Sequence, residues 1–159
     1  MDIEYTSCDE LLILIKRVNE KYYEMFNANI LFIEELYNKI FVVYIIELRD
    51  AYSHIIRIFD FDILSEQGRK NVQNHLGKYI SHLQRGLLDT FRKILALELK
   101  LLINAAPRKD KRAIEYQVAK KAHELRIMGK DISVDKRIEG YLSLLDYISE
   151  IRGKFFQEL

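Results

Sequence analysis

The chain contains few of the residues that interrupt helices or cross-link a fold. Its 159 residues include one proline, six glycines, one cysteine and no tryptophan. Because proline and glycine fit least well inside a helix, their scarcity predicts long uninterrupted helices. The single cysteine, Cys8, has no partner in the chain for a disulfide, which predicts a protein of a reducing compartment.

The chain also lacks an apolar run long enough to cross a lipid bilayer. The longest runs, Leu11 to Ile15 and Ile40 to Ile46, fall far short of the roughly 20 residues of a transmembrane helix. A cationic and apolar leader of the secretory type is also missing. We therefore expect a cytoplasmic protein that does not contact a membrane.

The composition that remains is typical of a globular helical protein. Apolar residues make up 49% of the chain and charged residues 31%, a balance that does not fit intrinsic disorder. The length suits one domain with its own core, so we expect residues 1–159 to form a single helical domain. The predicted fold class is all-α, a bundle of four to five helices.

Two long helices are expected at the centre of this bundle. Neither proline nor glycine occurs from Ile30 to Phe61, where apolar residues recur at positions 41, 45, 48, 52, 55 and 59. A second helix is predicted from Arg69 to Asn104, and the two should form a long central antiparallel hairpin. The β-branched run from Ile40 to Ile46 would also suit a buried strand, although no partner strand is evident.

Shorter helices are expected on either side of the hairpin. Ser7 and Glu10 form a capping box that predicts a helix start near Cys8, and Asn27 and Asn29 predict the place where this helix breaks or bends. Two more helices are predicted after Pro107, from about Arg108 to Met128 and from Val134, with Ser133 as its cap, towards Leu159.

Basic residues are concentrated late in the chain, although the net charge is only +1. Residues 1–50 hold ten acidic side chains and five basic ones, whereas Arg108 to Arg126 hold seven basic and three acidic. A basic helix face of this kind is either simply solvated or follows the phosphates of a nucleic acid. The candidate phosphate contacts are Arg108, Lys109, Lys111 and Arg112.

Chemically active side chains interrupt the apolar pattern of the first long helix. At about 100° per residue, Asp50, His54 and Arg57 share one stripe of that helix. Arg49 lies about 140° around the helix from His54. The two can therefore meet at one ligand only through the reach of arginine, a distorted helix or a neighbouring chain.

The second long helix carries a matching stripe. Its members are His75, Lys78, His82, Arg85 and Asp89, at near-heptad spacing. With a turn centred near residue 64, antiparallel packing should bring His54 level with His75 and Lys78, and place His82 opposite Ile46, about 12 Å further along the axis. The candidate binding residues are therefore Arg57, His75, Lys78, His82 and Arg85.

The pattern Arg49-Asp50-x-x-x-His54 resembles the signature of the HEPN (higher eukaryotes and prokaryotes nucleotide-binding) families. That resemblance implies a small helical domain that in many members is a metal-independent ribonuclease, with the arginine and histidine of two subunits meeting at a dimer interface. It implies Arg49 and His54 as the catalytic pair, Asp50 as the residue that orients one of them, and a homodimer. The implied context is a toxin–antitoxin or antiphage system, with RNA and a cognate antitoxin as partners.

Histidine and arginine together suffice for this chemistry. Histidine titrates near neutrality and can take a proton from a ribose 2′-hydroxyl or give one to a leaving 5′-oxygen. Arginine offers donors to a phosphate that gains charge in the transition state. The sequence has no metal-ligand spacing, glycine-rich phosphate loop or nucleophile motif, so we expect neither a metal site nor a cofactor.

An alternative of a different class explains the same residues. Asp50, His54 and Arg57, and likewise His82 with Arg85, would also make a strip of ion pairs on or between helices. The chain would then be a non-catalytic interaction module or accessory subunit that docks a protein partner. On that hypothesis His54→Ala changes assembly or partner affinity, whereas on the enzyme hypothesis it abolishes cleavage and leaves the fold intact.

Overall fold

The computed structural model describes residues 7–38, 41–127 and 132–157, and all regular structure in these ranges is helical. The α-helices are α1 (Cys8–Val18), α2 (Glu24–Tyr37), α3 (Val42–Ile58), α4 (Glu66–Ala105), α5 (Lys111–Ile127) and α6 (Val134–Gln157). A π-helical turn, Asn19–Tyr23, joins α1 to α2, so that the described residues contain five helices. The prediction of an all-α bundle of four to five helices is confirmed.

The chain divides into two compact units, Met1–Thr90 and Phe91–Leu159. The first unit contains α1 to α3 and the first part of α4, and the second contains the remainder of α4 with α5 and α6. The expectation of a single domain stays a prediction. Within the described ranges, no helix is both long enough and apolar enough to cross a membrane.

The first helix begins where the sequence predicts. Ser7 caps α1, and its side-chain oxygen accepts a hydrogen bond of 3.2 Å from the backbone amide of Glu10. In the π turn that follows, the backbone amide of Glu24 bonds to the carbonyl of Asn19. The hydroxyl of the buried Tyr79 in α4 donates to the Asn19 side-chain carbonyl, which ties the π turn to α4.

The predicted break or bend of this helix at Asn27 and Asn29 is wrong. Both residues lie inside α2, where the Asn29 side-chain amide donates to Thr90 Oγ1 at 3.1 Å. The chain turns instead at Asn38, whose φ of 50° is left-handed, a conformation that asparagine tolerates better than most residues. The predicted helix from Ile30 to Phe61 is therefore two helices, α2 and α3.

The face that α3 buries differs from the predicted one. Its buried side chains are Tyr44, Ala51 and Ile58. Three positions of the predicted apolar face, Ile45, Tyr52 and Phe59, are 45%, 41% and 68% exposed. Because α3 is apolar around much of its surface, periodicity does not distinguish its faces. The side that packs against α4 carries Glu47 and His54, and the other three positions of the predicted face, Phe41, Leu48 and Ile55, are half-buried.

The core of the first unit lies between α4 and the helices before it. Its fully buried side chains include Val18, Phe26, Ile33, Leu76, Leu83 and Leu87. The Phe26 ring lies directly over Gly86, where a Cβ would come within 2.3 Å of a ring atom. Glycine at this position therefore lets α2 approach α4 closely.

The loop between α3 and α4 contains the turn predicted near residue 64. Ser65 caps α4: its side-chain oxygen accepts from the Gly68 amide at 2.9 Å, and its hydroxyl donates to the Asp62 carbonyl at 2.9 Å. A Cβ on Gly68 would lie 1.7 Å from the Asp62 carbonyl oxygen. Only glycine allows the loop to close this tightly.

The second unit is built from the end of α4, α5 and α6. Its buried side chains include Leu102, Ile114, Val118, Tyr141 and Ile148. Arg152 of α6 donates to Glu98 of α4. Ser133 caps α6 as predicted, since its side chain accepts from the Lys136 amide at 3.4 Å, and the predicted end at Leu159 lies outside the described residues.

The start of α5 differs slightly from the prediction. The backbone amide of Asp110 donates to the Pro107 carbonyl at 3.0 Å, in a turn that includes Arg108. The helix therefore begins at Lys111. Its predicted end, Met128, lies outside the described residues.

Candidate functional site

α3 and the first part of α4 form an antiparallel hairpin whose facing stripes carry the candidate site. His54 Nδ1 lies 3.0 Å from His75 Nδ1, and Glu47 Oε2 lies 2.9 Å from His82 Nδ1. His54 lies seven residues after Glu47 in α3, and its partner His75 lies seven residues before His82 in α4, as expected for antiparallel helices. We call His54, His75 and His82 the histidine cluster.

His54 lies in the middle of the histidine cluster. Its ring centroid is 5.2 Å from that of His75 and 5.4 Å from that of His82. We expected His54 to be level with His75, as it is, and His82 to lie about 12 Å further along the axis. The rings of His54 and His82 are nevertheless only 5.4 Å apart, and the residue of α3 that contacts His82 is Glu47, one position after the predicted Ile46.

The contact between His54 and His75 determines how the two rings carry their protons. A hydrogen bond between two Nδ1 atoms requires one to donate and the other to accept. When both rings are neutral, the donor ring has a bare Nε2 and the acceptor ring has a protonated Nε2. The pair therefore presents one base and one acid at the nitrogens that are not part of the shared hydrogen bond.

The surroundings of this pair favour the neutral rings. Burial lowers the pKa of His54, and the neighbouring imidazoles, Lys78 and Arg57 lower it further. Burial also lowers the pKa of His75, and Lys78 and Arg57 add to the effect while the Asp60 carboxylate opposes it. Lys78 and Arg57 are both exposed. An incoming phosphate can therefore reach these two cations beside the histidine pair.

A carboxylate orders the third imidazole. Glu47 Oε2 lies 2.9 Å from His82 Nδ1 and 3.1 Å from Arg85 Nη2, and that Arg85 nitrogen is also 2.9 Å from His82 Nδ1. Since an ionised carboxylate only accepts, the two contacts with Glu47 are satisfied when His82 and Arg85 both donate to it, and the contact between Arg85 and His82 then joins two donors that share this acceptor. A neutral His82 then has a bare Nε2.

Arg49 and Asp50 bind each other. Arg49 Nε and Nη2 donate to Asp50 Oδ1 at 3.0 and 2.7 Å, and this contact, followed by the charges of Arg49, His82 and His54, lowers the pKa of Asp50. The Arg49 side chain is 71% exposed. Within one chain Arg49 thus pairs with its neighbour Asp50, and helical geometry places it about 140° around α3 from His54.

Exposed apolar side chains surround Arg49 on the outside of α3. Val42, Ile45 and Ile56 lie within about 40° of Arg49 around the helix. They are 66%, 45% and 66% exposed. We call Val42, Ile45 and Ile56 the outer apolar face of α3. Exposed apolar side chains that share one helix face are typical of a surface that binds another protein.

The four basic candidates near the start of α5 lie in the second unit. Arg108, Lys109 and Arg112 are exposed, and Lys111, the first residue of α5, is half-buried. Their contact with nucleic acid stays a prediction.

Two residues of the site were not among the sequence candidates. Glu47 could have been found, because it precedes His54 by seven residues just as His75 precedes His82. Phe61 stacks on His75 with ring centroids 5.4 Å apart and 27° between the planes. It lies in the loop after α3, where no helical period applies.

The histidine cluster is not arranged as a metal centre. His54 and His75 turn their Nδ1 atoms towards each other, and His82 turns its Nδ1 towards Glu47. Over the part of the chain that the structure describes, no group of three histidine, cysteine, aspartate or glutamate side chains is placed to hold a metal ion.

Comparison of the chain with protein-family models, with curated proteins and with solved structures finds no match. The chemistry of its own side chains is therefore the basis for inferring its function.

Proposed function

We propose that the protein is a metal-independent ribonuclease of the HEPN type, in which the histidine cluster carries out acid–base catalysis on RNA. The observation that carries this proposal is the 3.0 Å contact between the Nδ1 atoms of His54 and His75. It makes the two Nε2 atoms complementary, one able to accept a proton and the other able to donate one. Cleavage of RNA by its own 2′-hydroxyl uses one such base and one such acid.

In the proposed reaction, the bare Nε2 takes the proton of a ribose 2′-hydroxyl. The 2′-oxygen bonds to phosphorus and the bond from phosphorus to the 5′-oxygen breaks, which leaves a 2′,3′-cyclic phosphate. The other ring gives its Nε2 proton to the departing 5′-oxygen. The Nδ1 proton crosses the shared hydrogen bond at the same time, so that the ring that acts as the acid is never left as an anion, and both rings are neutral at the end with their roles exchanged.

Arg57 and Lys78 supply positive charge for the reacting phosphate in this proposal. Their charges lower the pKa values of His54 and His75, and both side chains are exposed, so we assign the reacting phosphate to them. Cationic donors of this kind stabilise a phosphate that gains charge in the transition state. We assign the remaining phosphate contacts of the RNA to Arg108, Lys109, Lys111 and Arg112.

The resemblance to HEPN families adds a second subunit to the proposal. We propose a homodimer that buries the outer apolar face of α3, with Arg49 oriented by Asp50 towards the partner subunit's His54. The exposed arginine among exposed apolar side chains supports this assignment. The proposed setting is a cytoplasmic toxin–antitoxin or antiphage system, in which a cognate antitoxin binds the dimer.

The test is cleavage of a defined single-stranded RNA in EDTA by wild type, His54→Gln, His75→Gln and Arg49→Ala. Wild type should yield 2′,3′-cyclic phosphate ends, and each histidine variant should be slower by at least about 100-fold, the usual size of acid–base catalysis. Lys70→Gln is the matched control, because Lys70 is an exposed cation of α4 that pairs with Glu66. It should retain the wild-type rate.

Circular dichroism of each variant separates lost chemistry from lost folding. DNA of the same sequence should resist cleavage, because it has no 2′-hydroxyl. The proposal fails if folded wild type does not cleave RNA, or if cleavage persists in both histidine variants.

A second candidate function, the non-catalytic docking module, is favoured by the contacts of Glu47. A carboxylate that engages both His82 and Arg85 stabilises the hairpin without any chemistry. On this hypothesis the cluster shapes a surface for a protein partner. His54→Gln would then change assembly or partner affinity, and wild type would leave RNA intact.

A further inference from the structure

A cavity of about 390 Å³ lies in the second unit, between α4, α5 and α6. Its lining residues take no part in the proposed cleavage of RNA. The volume is that of a pocket for a small organic molecule. The apolar and the charged side chains that line the cavity indicate which class of molecule fits.

Small side chains on two helices leave the room for this cavity. Ala96 of α4 and Ala119 and Ala122 of α5 line it. The rest of its apolar wall is formed by Leu95, Leu99 and Val118. A ligand can therefore remove apolar surface from water when it enters, which is the main source of binding free energy for small molecules.

Three basic side chains line the same cavity, namely Arg92, His123 and Arg126. None of the described residues that line it is acidic. Arg92 Nε donates to the Tyr141 hydroxyl at 3.3 Å, and the buried Tyr141 ring stacks on Phe91 with centroids 6.1 Å apart. The Arg92 guanidinium is therefore held at the wall by a rigid neighbour.

We propose that this cavity binds a small amphipathic anion, a molecule with an apolar body and a carboxylate or phosphate head. The alanine and leucine wall covers the body, and the guanidinium groups of Arg92 and Arg126 bind the head. Arginine suits this role because its planar fork of donors matches the oxygens of carboxylate and phosphate. A cationic ligand with the same body would be repelled by the same side chains.

The experiment is calorimetric titration of the full chain with octanoate, octyl phosphate and octylammonium, which share one apolar body. The better of the two anions should bind at least about tenfold tighter than octylammonium, and the difference between the anions identifies the preferred head. Arg126→Gln should weaken binding of that anion by about tenfold, because it removes a charged hydrogen bond. Ala122→Phe should weaken binding, because its ring would occupy part of the cavity beside the apolar wall.

The matched control is Lys120→Gln, which removes an exposed cation from α5 that does not line the cavity. Its affinity for the anion should equal that of wild type. Equal binding of octylammonium, unchanged affinity in Arg126→Gln, or no anion binding by folded wild type would each overturn the proposal. Arg126 is exposed, so its variant should fold even if Ala122→Phe does not.

Discussion

His54 and His75, on different helices, lie with their Nδ1 atoms 3.0 Å apart and share one proton between them. A second proton at this position would break the hydrogen bond and place two positive rings side by side. Lys78 and Arg57 add to that repulsion. The contact that holds α3 to α4 here is therefore sensitive to pH.

Acid should destabilise the fold through this pair. The pKa values of His54 and His75 are lowered in the folded state, so the unfolded chain binds more protons as the pH falls. The free energy of unfolding should be highest above about pH 6.5, the ordinary histidine pKa, and should decrease from there down through the folded pKa values. Urea unfolding at a series of pH values measures this free energy. The free energy of unfolding should change less with pH in His75→Gln than in wild type. If it changes equally in both, the pair is not the cause of the pH dependence.

The rate of RNA cleavage should also depend on the protonation of this pair. The proposed base must be unprotonated, so kcat/KM should fall on the acid side as the rings take up protons. Because the pKa of His54 is lowered, the midpoint of this fall should lie below about 6.5. The measurement is kcat/KM against pH in EDTA, at pH values where circular dichroism shows a folded protein. A midpoint above the ordinary histidine value would contradict the proposed base.

Loss of the Glu47 carboxylate should weaken the hairpin. The side chains of Glu47 and His82 are each only 19% exposed, so Glu47→Ala leaves His82 and Arg85 without their shared acceptor. We expect a loss of roughly 1–3 kcal/mol in the free energy of unfolding, measured by urea titration. Glu66→Ala is the control: its side chain is 77% exposed, and its pair with Lys70 should contribute less than about 1 kcal/mol. Equal losses in the two variants would show that the Glu47 contacts are no stronger than surface pairs.

A charge on the outer apolar face of α3 should separate the proposed dimer. Ile56 is 66% exposed, so Ile56→Glu should leave the stability of a subunit almost unchanged and yet place a charge in the subunit interface. Light scattering during gel filtration should give a dimeric mass for wild type and a monomeric mass for the variant. Tyr116→Glu on α5, where the side chain is 69% exposed, is the control and should stay dimeric. A monomeric wild type would remove the second subunit from the proposed site.

The pairing of the two helices follows from the sequence, but the rotation of α3 does not. A short loop centred near residue 64 is enough to set His54 against His75, because antiparallel helices must run back from that loop. The rotation depends on which of several apolar sides meets α4, and Ile45 and Ala51 are equally acceptable in a core. The structure buries Ala51 because the polar side of α3 also faces α4.

Helix ends that depend on local contacts could be predicted from the sequence, whereas those that depend on tertiary packing could not. Ser7 and Ser133 act within one turn of their own helices, and both caps are confirmed. Asn29 and Asn38 are alike as local signals, yet only Asn38 ends a helix. Asn29 finds an acceptor in Thr90, far along the chain, and that contact depends on the packing of α2 against α4.

The π turn between α1 and α2 has a consequence for the length of the chain. The buried residues Val18, Tyr22, Phe26 and Ile30 follow one another at intervals of four. Each interval overshoots a turn of α-helix by about 40°, and the wider π turn absorbs part of that excess. The π turn therefore keeps the apolar faces of α1 and α2 on the same side, against one core. Removal of Glu20 or Lys21 would leave an ordinary α-helix with the same faces inward and would keep Asn19, the acceptor of the Tyr79 hydroxyl, so we expect the fold to tolerate a shorter chain at this turn.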